Sequence, residues 1–174
     1  MGWMGLLKRE IESTYRSTEK LFDFVDEDSL NWKPTTGTNW MTVGQLLKHL
    51  TDACGAPMRC FVTGNWGLPE GMAMGTMSPE EMLPPASKMP TVESVEEAKK
   101  LLAEDRRLAL EMLGKCTVED LTTKTALAPW DPREMILGHR LLQMVQHLAS
   151  HKAQLFFYLK LQGNPVNTSH LWGI

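Results

Sequence analysis

The chain has 174 residues, 43% of them hydrophobic, and a formal charge of −3 at pH 7. That length suits a single domain over residues 1–174 with a substantial buried core. The near-balanced charge and the lack of a basic run argue against a nucleic-acid or anionic-membrane surface, and no stretch reaches the ~20 apolar residues of a membrane span.

No internal repeat and no strand-like alternation of any length is found. Four helical segments are predicted. The first runs from about Trp3 to Val25, where Leu6, Leu7, Ile11, Tyr15, Thr18, Phe22 and Val25 recur at three- and four-residue spacing. The loop NWKPTTGTNW follows it. The second begins near Thr42, where Thr42 and Gln45 match a capping box. Its stripe of Leu46, Leu47, Leu50, Cys54 and Phe61 predicts one helix that Pro57 must kink.

From Gly64 to Pro90 the chain holds five prolines, four glycines and five methionines. It cannot sustain a long helix. A connection of 27 residues could span up to ~90 Å when extended, and such length is often functional. The third helix is expected from about Ser94 to Leu113, with Ser94 and Glu97 as a capping box and Gly114 as its stop. The fourth should start at Asp131-Pro132-Arg133-Glu134, with an acceptor, an early proline and a glutamate in capping positions. Running on to Leu161, it would be about 45 Å long. The fold class that results is all-α, a four-helix bundle in which the long crossover lets helices 2 and 3 run parallel.

Cys54, Cys60 and Cys116 are odd in number and follow no CxxC pattern. Disulfide scaffolding is not expected, and a cytoplasmic setting is. The opening MGWMGLLKREIE meets charges too early for a secretory signal.

The most informative residues are histidines. His147 and His151 are one turn apart inside an apolar stretch, and His49 sits in another. A neutral imidazole is a good ligand for zinc, nickel or iron, and i, i+4 spacing puts two on one helix face. Three ligands leave the open positions that a catalytic metal needs. His49 lies early in the second helix and His151 lies about ten residues before the end of the fourth. Their heights coincide only if those helices are antiparallel. Leu46, His49, Ala53 and Cys60 share one edge, and Met144, His147, Leu148, His151 and Leu155 share the other. Small Ala53 and Ala56 would leave room for an ion or substrate. The competing reading makes each histidine a satisfied core or surface residue. Asp52 could orient His49, although a solvated position also accounts for it. His139 reads as a flanking residue, His170 as part of a terminal surface segment, and Cys54 and Cys60 as inert thiols.

These segments together resemble the DinB/YfiT-like metal-binding four-helix bundles over nearly the whole chain. The resemblance rests on Trp32-Lys-Pro34, on Trp40 through His49 with its capping Thr42, and on His147-Leu-Ala-Ser-His151 with Tyr158, Gly163 and Pro165 beyond. It implies an up-down-down-up bundle, a divalent metal (zinc or nickel foremost) on His49, His147 and His151, and homodimers formed through helix faces. It also implies thiol-dependent transfer or isomerisation of a small-molecule substrate with a low-molecular-weight thiol such as bacillithiol or mycothiol. The alternative function is a non-catalytic metal-binding, stress-related or oligomeric interaction bundle. No general base stands out, and catalytic residues are left unassigned. In an enzyme, the methionine-rich crossover could wall the substrate site.

Overall fold

The computed structural model describes residues 2–68 and 84–174. Helix α1 spans Trp3–Phe22 and buries Leu7, Ile11, Tyr15, Thr18 and Phe22, most of the stripe that its spacing predicted, whereas Leu6 is exposed. It stops short of Val25. Asp26 opens a separate 3-10 turn, Glu27–Ser29, by accepting from the Asp28 N–H.

Helix α2 spans Val43–Leu50 and starts at the expected capping box: Gln45 N–H donates to Thr42 Oγ1, and Thr42 N–H donates to Gln45 Oε1. The helix does not continue through Pro57. A break at Thr51–Cys54 separates it from α3, Gly55–Thr63. Pro57 therefore sits in the first turn of α3, where its missing N–H would have had no helical partner.

Helix α4 spans Val95–Gly114, with Ser94 Oγ accepting from Glu97 N–H. Only half of the expected box forms, because the Glu97 carboxylate accepts from Glu93 instead. Gly114 belongs to the helix, and Lys115 caps it. A short helix not foreseen from the sequence, α5, covers Val118–Thr123 with its own Thr117–Asp120 capping box.

The prediction that the fourth helix starts at Asp131 is corrected, and so is the expectation of no strands. Strands β1, Thr125–Ala128, and β2, Asp131–Ile136, pair antiparallel, with Thr125 opposite Ile136. Helix α6 begins only at Leu137 and runs to Leu161, its first N–H donating to Lys124 O at 2.7 Å. Asp131 does act as an acceptor, but in the hairpin: its carboxylate takes the Arg133 N–H, the Arg133 side chain and the buried Arg140 guanidinium. Arg140 also donates to the carbonyls of Ala126 and Arg133. One fully buried cation thus ties both strands to the start of α6. A last helix, α7, covers Thr168–Trp172. Lys152 Nζ holds it by donating to Leu171 O at 2.8 Å.

The fold is predominantly helical, and the contacts set the helix directions pair by pair. Tyr158 meets Met41, His147 meets His49 and Arg140 lies over the Phe61 ring, so α6 runs antiparallel to α2 and α3. Tyr15 meets Asp105 and Asp23 meets Lys99, so α1 and α4 are antiparallel. Ser17 meets Lys152, and Gly138 packs near Trp3, so α1 and α6 are parallel. The core between them includes Ile11, Leu46, Leu50, Met58, Leu102, Leu148 and Leu155. No helix among the described residues is long and apolar enough to cross a membrane. Most of the predicted crossover, including Met72, Met74, Met77 and Met82, lies outside the described residues. After it, a 3-10 turn at Ala86–Lys88 docks on α2, where Gln45 Nε2 donates to Ala86 O and Met89 O.

Candidate metal centre

The antiparallel run of α2 and α6 brings all three predicted ligands together. His147 and His151 project from one face of α6, one turn apart, and His49 faces them from the last turn of α2. His147 Nε2 lies 3.2 Å from His49 Nε2 and 3.1 Å from His151 Nε2. One ligand atom from each imidazole lies within 4.8 Å of the other two, and all three side chains are half-buried. They are the only such group of three among the described residues.

The outer nitrogens decide the chemistry. His147 Nδ1 is 3.0 Å from the carbonyl oxygen of Ala53. A carbonyl can only accept, so Nδ1 carries a proton, and in the neutral ring Nε2 is the lone-pair nitrogen. His151 Nδ1 is 2.9 Å from Gln154 Oε1, and the Gln154 amide nitrogen donates to Tyr158 Oη. The same logic leaves His151 Nε2 unprotonated. Burial, followed by the neighbouring imidazoles His151 and His147, lowers the His49 pKa to about 4. Burial also lowers that of His151, against an opposing contribution from Gln154. Between neutral rings, two lone pairs would face each other at 3.1 Å.

A shared cation would resolve that repulsion. An ion about 2.1 Å from each nitrogen requires nitrogens about 3.0 Å apart at right angles and about 3.4 Å apart at tetrahedral angles. The two measured separations fall between those values. The residues present fit a divalent ion held by three neutral nitrogens, with Ala53 and Gln154 fixing two of the rings from behind.

The other candidates are not part of this cluster. Asp52 is exposed and pairs with Lys48 one turn before it, so its solvated reading holds. His139 is exposed. His170 folds back on the turn after α1, with its ring edge-on to Phe24 and its Nδ1 accepting from Asn167 N–H. Cys54 is buried, and burial, with Asp105 second, pushes its thiol pKa well up. Cys60 is a half-buried free thiol on α3. Sequence reasoning missed the roles of Gln154 and the Ala53 carbonyl. Gln154 lies three residues after His151, on the same helix face, which was a readable signal. Toward the start of α2, a polar cleft of about 360 Å³ is lined by Lys33, Asn39, Trp40, Thr42, Gln45 and Ser87, among others.

The profile of the family described as the DinB superfamily matches residues 10–155. Among solved structures, one described as a member of the DinB family from Exiguobacterium sibiricum 255-15 aligns with a TM-score of 0.65 at 19% identity, covering 98% of each chain. At that identity the likeness speaks for the fold alone. The comparison with curated proteins returns no match.

Proposed function

The chain belongs to the DinB superfamily, and from that premise we propose that it binds a divalent metal, zinc or nickel foremost, through Nε2 of His49, His147 and His151. The observation that carries this is the 3.1 Å approach of His147 Nε2 to His151 Nε2 while both Nδ1 atoms face acceptor oxygens, an arrangement that is repulsive between neutral rings unless a cation is shared. We read residues 1–174 as one up-down-down-up four-helix bundle decorated by the hairpin and α7, acting in the cytoplasm.

The proposed activity is metal-dependent transfer to or from a low-molecular-weight thiol. Bound at the three imidazoles, a divalent ion would supply Lewis acidity that lowers the pKa of a thiol or water. The chain's own residues perform three tasks. The imidazoles stay neutral, which preserves the ion's full charge. Ala53 O and Gln154 Oε1 keep the Nδ1 protons of His147 and His151 turned away. Lys33, Asn39, Gln45 and Ser87 offer hydrogen-bonding groups to a polar substrate, with Gln45 one helical turn from His49. The related proposal of self-association is supported by exposed Phe157 and Leu161, one turn apart on α6. A second reading, metal binding without catalysis, is favoured by one observation. Among the described residues no carboxylate joins the three imidazoles as a ready base.

Elemental analysis of untagged protein tests the metal. A screen of electrophiles with bacillithiol, mycothiol or glutathione, with His151→Ala as control, tests the activity. Turnover that persists unchanged in that variant excludes catalysis through the triad, and metal without turnover favours the second reading.

A further inference from the structure

Asp105 is a buried carboxylate on α4 that no lysine or arginine touches among the described residues. Its oxygens accept from Tyr15 Oη at 2.6 Å, Gly55 N–H at 2.9 Å and Ala56 N–H at 2.8 Å. The two amides are the first of α3, so Asp105 caps that helix from another helix. The approach is close: a Cβ on Gly55 would lie 2.1 Å from the Asp105 carbonyl oxygen. Burying a carboxylate without a cation is expensive, and an apolar side chain would ordinarily stabilise more.

What the cap achieves is legible two residues upstream. In a continuous helix the Ala53 carbonyl would accept from the N–H of residue 57. Residue 57 is proline and has none, and helical bonding in α3 begins instead with Met58 N–H donating to Cys54 O. The Ala53 carbonyl is thereby released, and the break turns it toward His147 Nδ1 at 3.0 Å. We propose that Asp105 is a positioning residue for the histidine cluster: by capping α3 it holds the 51–54 break, so that the Ala53 carbonyl fixes the tautomer and ring orientation of His147. The inference rests on the metal reading only for its effect on affinity, because the tautomer is a property of the metal-free chain.

The test is Asp105→Asn, which replaces one acceptor oxygen by an amide donor. Imidazole nitrogens of the full-length, metal-free protein are read by long-range ¹H–¹⁵N correlation at pH 7.5. In the wild type, His147 and His151 should both carry their proton on Nδ1. In Asp105→Asn, His147 should acquire a substantial Nε2–H population while His151, held by Gln154, stays unchanged. Zinc affinity should fall about 10- to 100-fold. An unaltered His147, or His147 and His151 changing together as in general loosening, overturns the proposal. If the variant does not fold, Tyr15→Phe/Asp105→Asn, which removes the phenol left facing a carboxamide, carries the same readout and the same outcomes. Wild-type protein that takes no metal, yet shows the selective His147 change, defeats the metal reading and leaves the positioning role intact.

Discussion

The Nε2 atoms of His147 and His151 stand 3.1 Å apart, while the Nδ1 atoms behind them face the oxygens of Ala53 and Gln154. Two neutral imidazoles so placed repel, and i, i+4 spacing on one rigid helix gives them little freedom to part. A shared ion would convert that repulsion into binding, so removing it should be visible in stability. At free metal 100-fold above Kd, a single site stabilises by about 2.7 kcal/mol. For a chain of this size that amounts to about 5–10 °C in Tm. Scanning calorimetry with and without a chelator checks this. Coincident transitions would count against the site.

His151→Ala should take metal content from stoichiometric to trace, because two imidazoles on separate helices remain. Elemental analysis after gel filtration measures it. Retention at the wild-type level would remove His151 from the ligand set.

Gln154→Leu should weaken metal affinity about 10- to 100-fold without unfolding the protein. The variant frees the His151 Nδ1–H and breaks the link to Tyr158. Competition with a chromogenic chelator reads the affinity, and equal affinity in both proteins would show that the link does not orient His151.

Arg140→Met should cost about 1–3 kcal/mol, the penalty for leaving buried acceptors without their donor, since Asp131 keeps Arg133. Asp131 and the carbonyls of Ala126 and Arg133 lose their shared donor. Urea unfolding measures the loss, and a change under 1 kcal/mol would mean that the hairpin does not depend on this cation.

Asp105 holds its proton above the ordinary value near 3.8, because burial outweighs the phenol and the two amides bonded to it. Just above pH 3.8 the folded chain therefore binds more protons than the unfolded one, and stability drops as pH rises through that window. Asp105→Asn cannot titrate. The stability lead of the wild type over this variant should narrow from about pH 4 toward neutrality, as read from urea midpoints. A widening lead would reverse the sign assigned to burial.

Much of the scaffold was readable from local pattern. The stripe of α1 and the Thr42 box appear where periodicity and capping chemistry put them. Errors arose where a side chain outside the helical pattern overrode a local signal. Asp131-Pro132-Arg133-Glu134 has the composition of a helix start, yet Asp131 is claimed by Arg133 and Arg140 and serves a hairpin. The apolar stripe from Leu46 to Phe61 suggests one kinked helix, yet Asp105 caps a second one inside it.

The sequence by itself determined that His147 and His151 share a face and that His49 lies early in another amphipathic helix, since helical periodicity depends only on near neighbours. Only the tertiary structure decided that the three nitrogens converge and that Ala53 and Gln154 turn two of the rings. Convergence depends on how whole helices pack, and the Ala53 contact on a carboxylate about fifty residues away in the chain. No window of local sequence contains either.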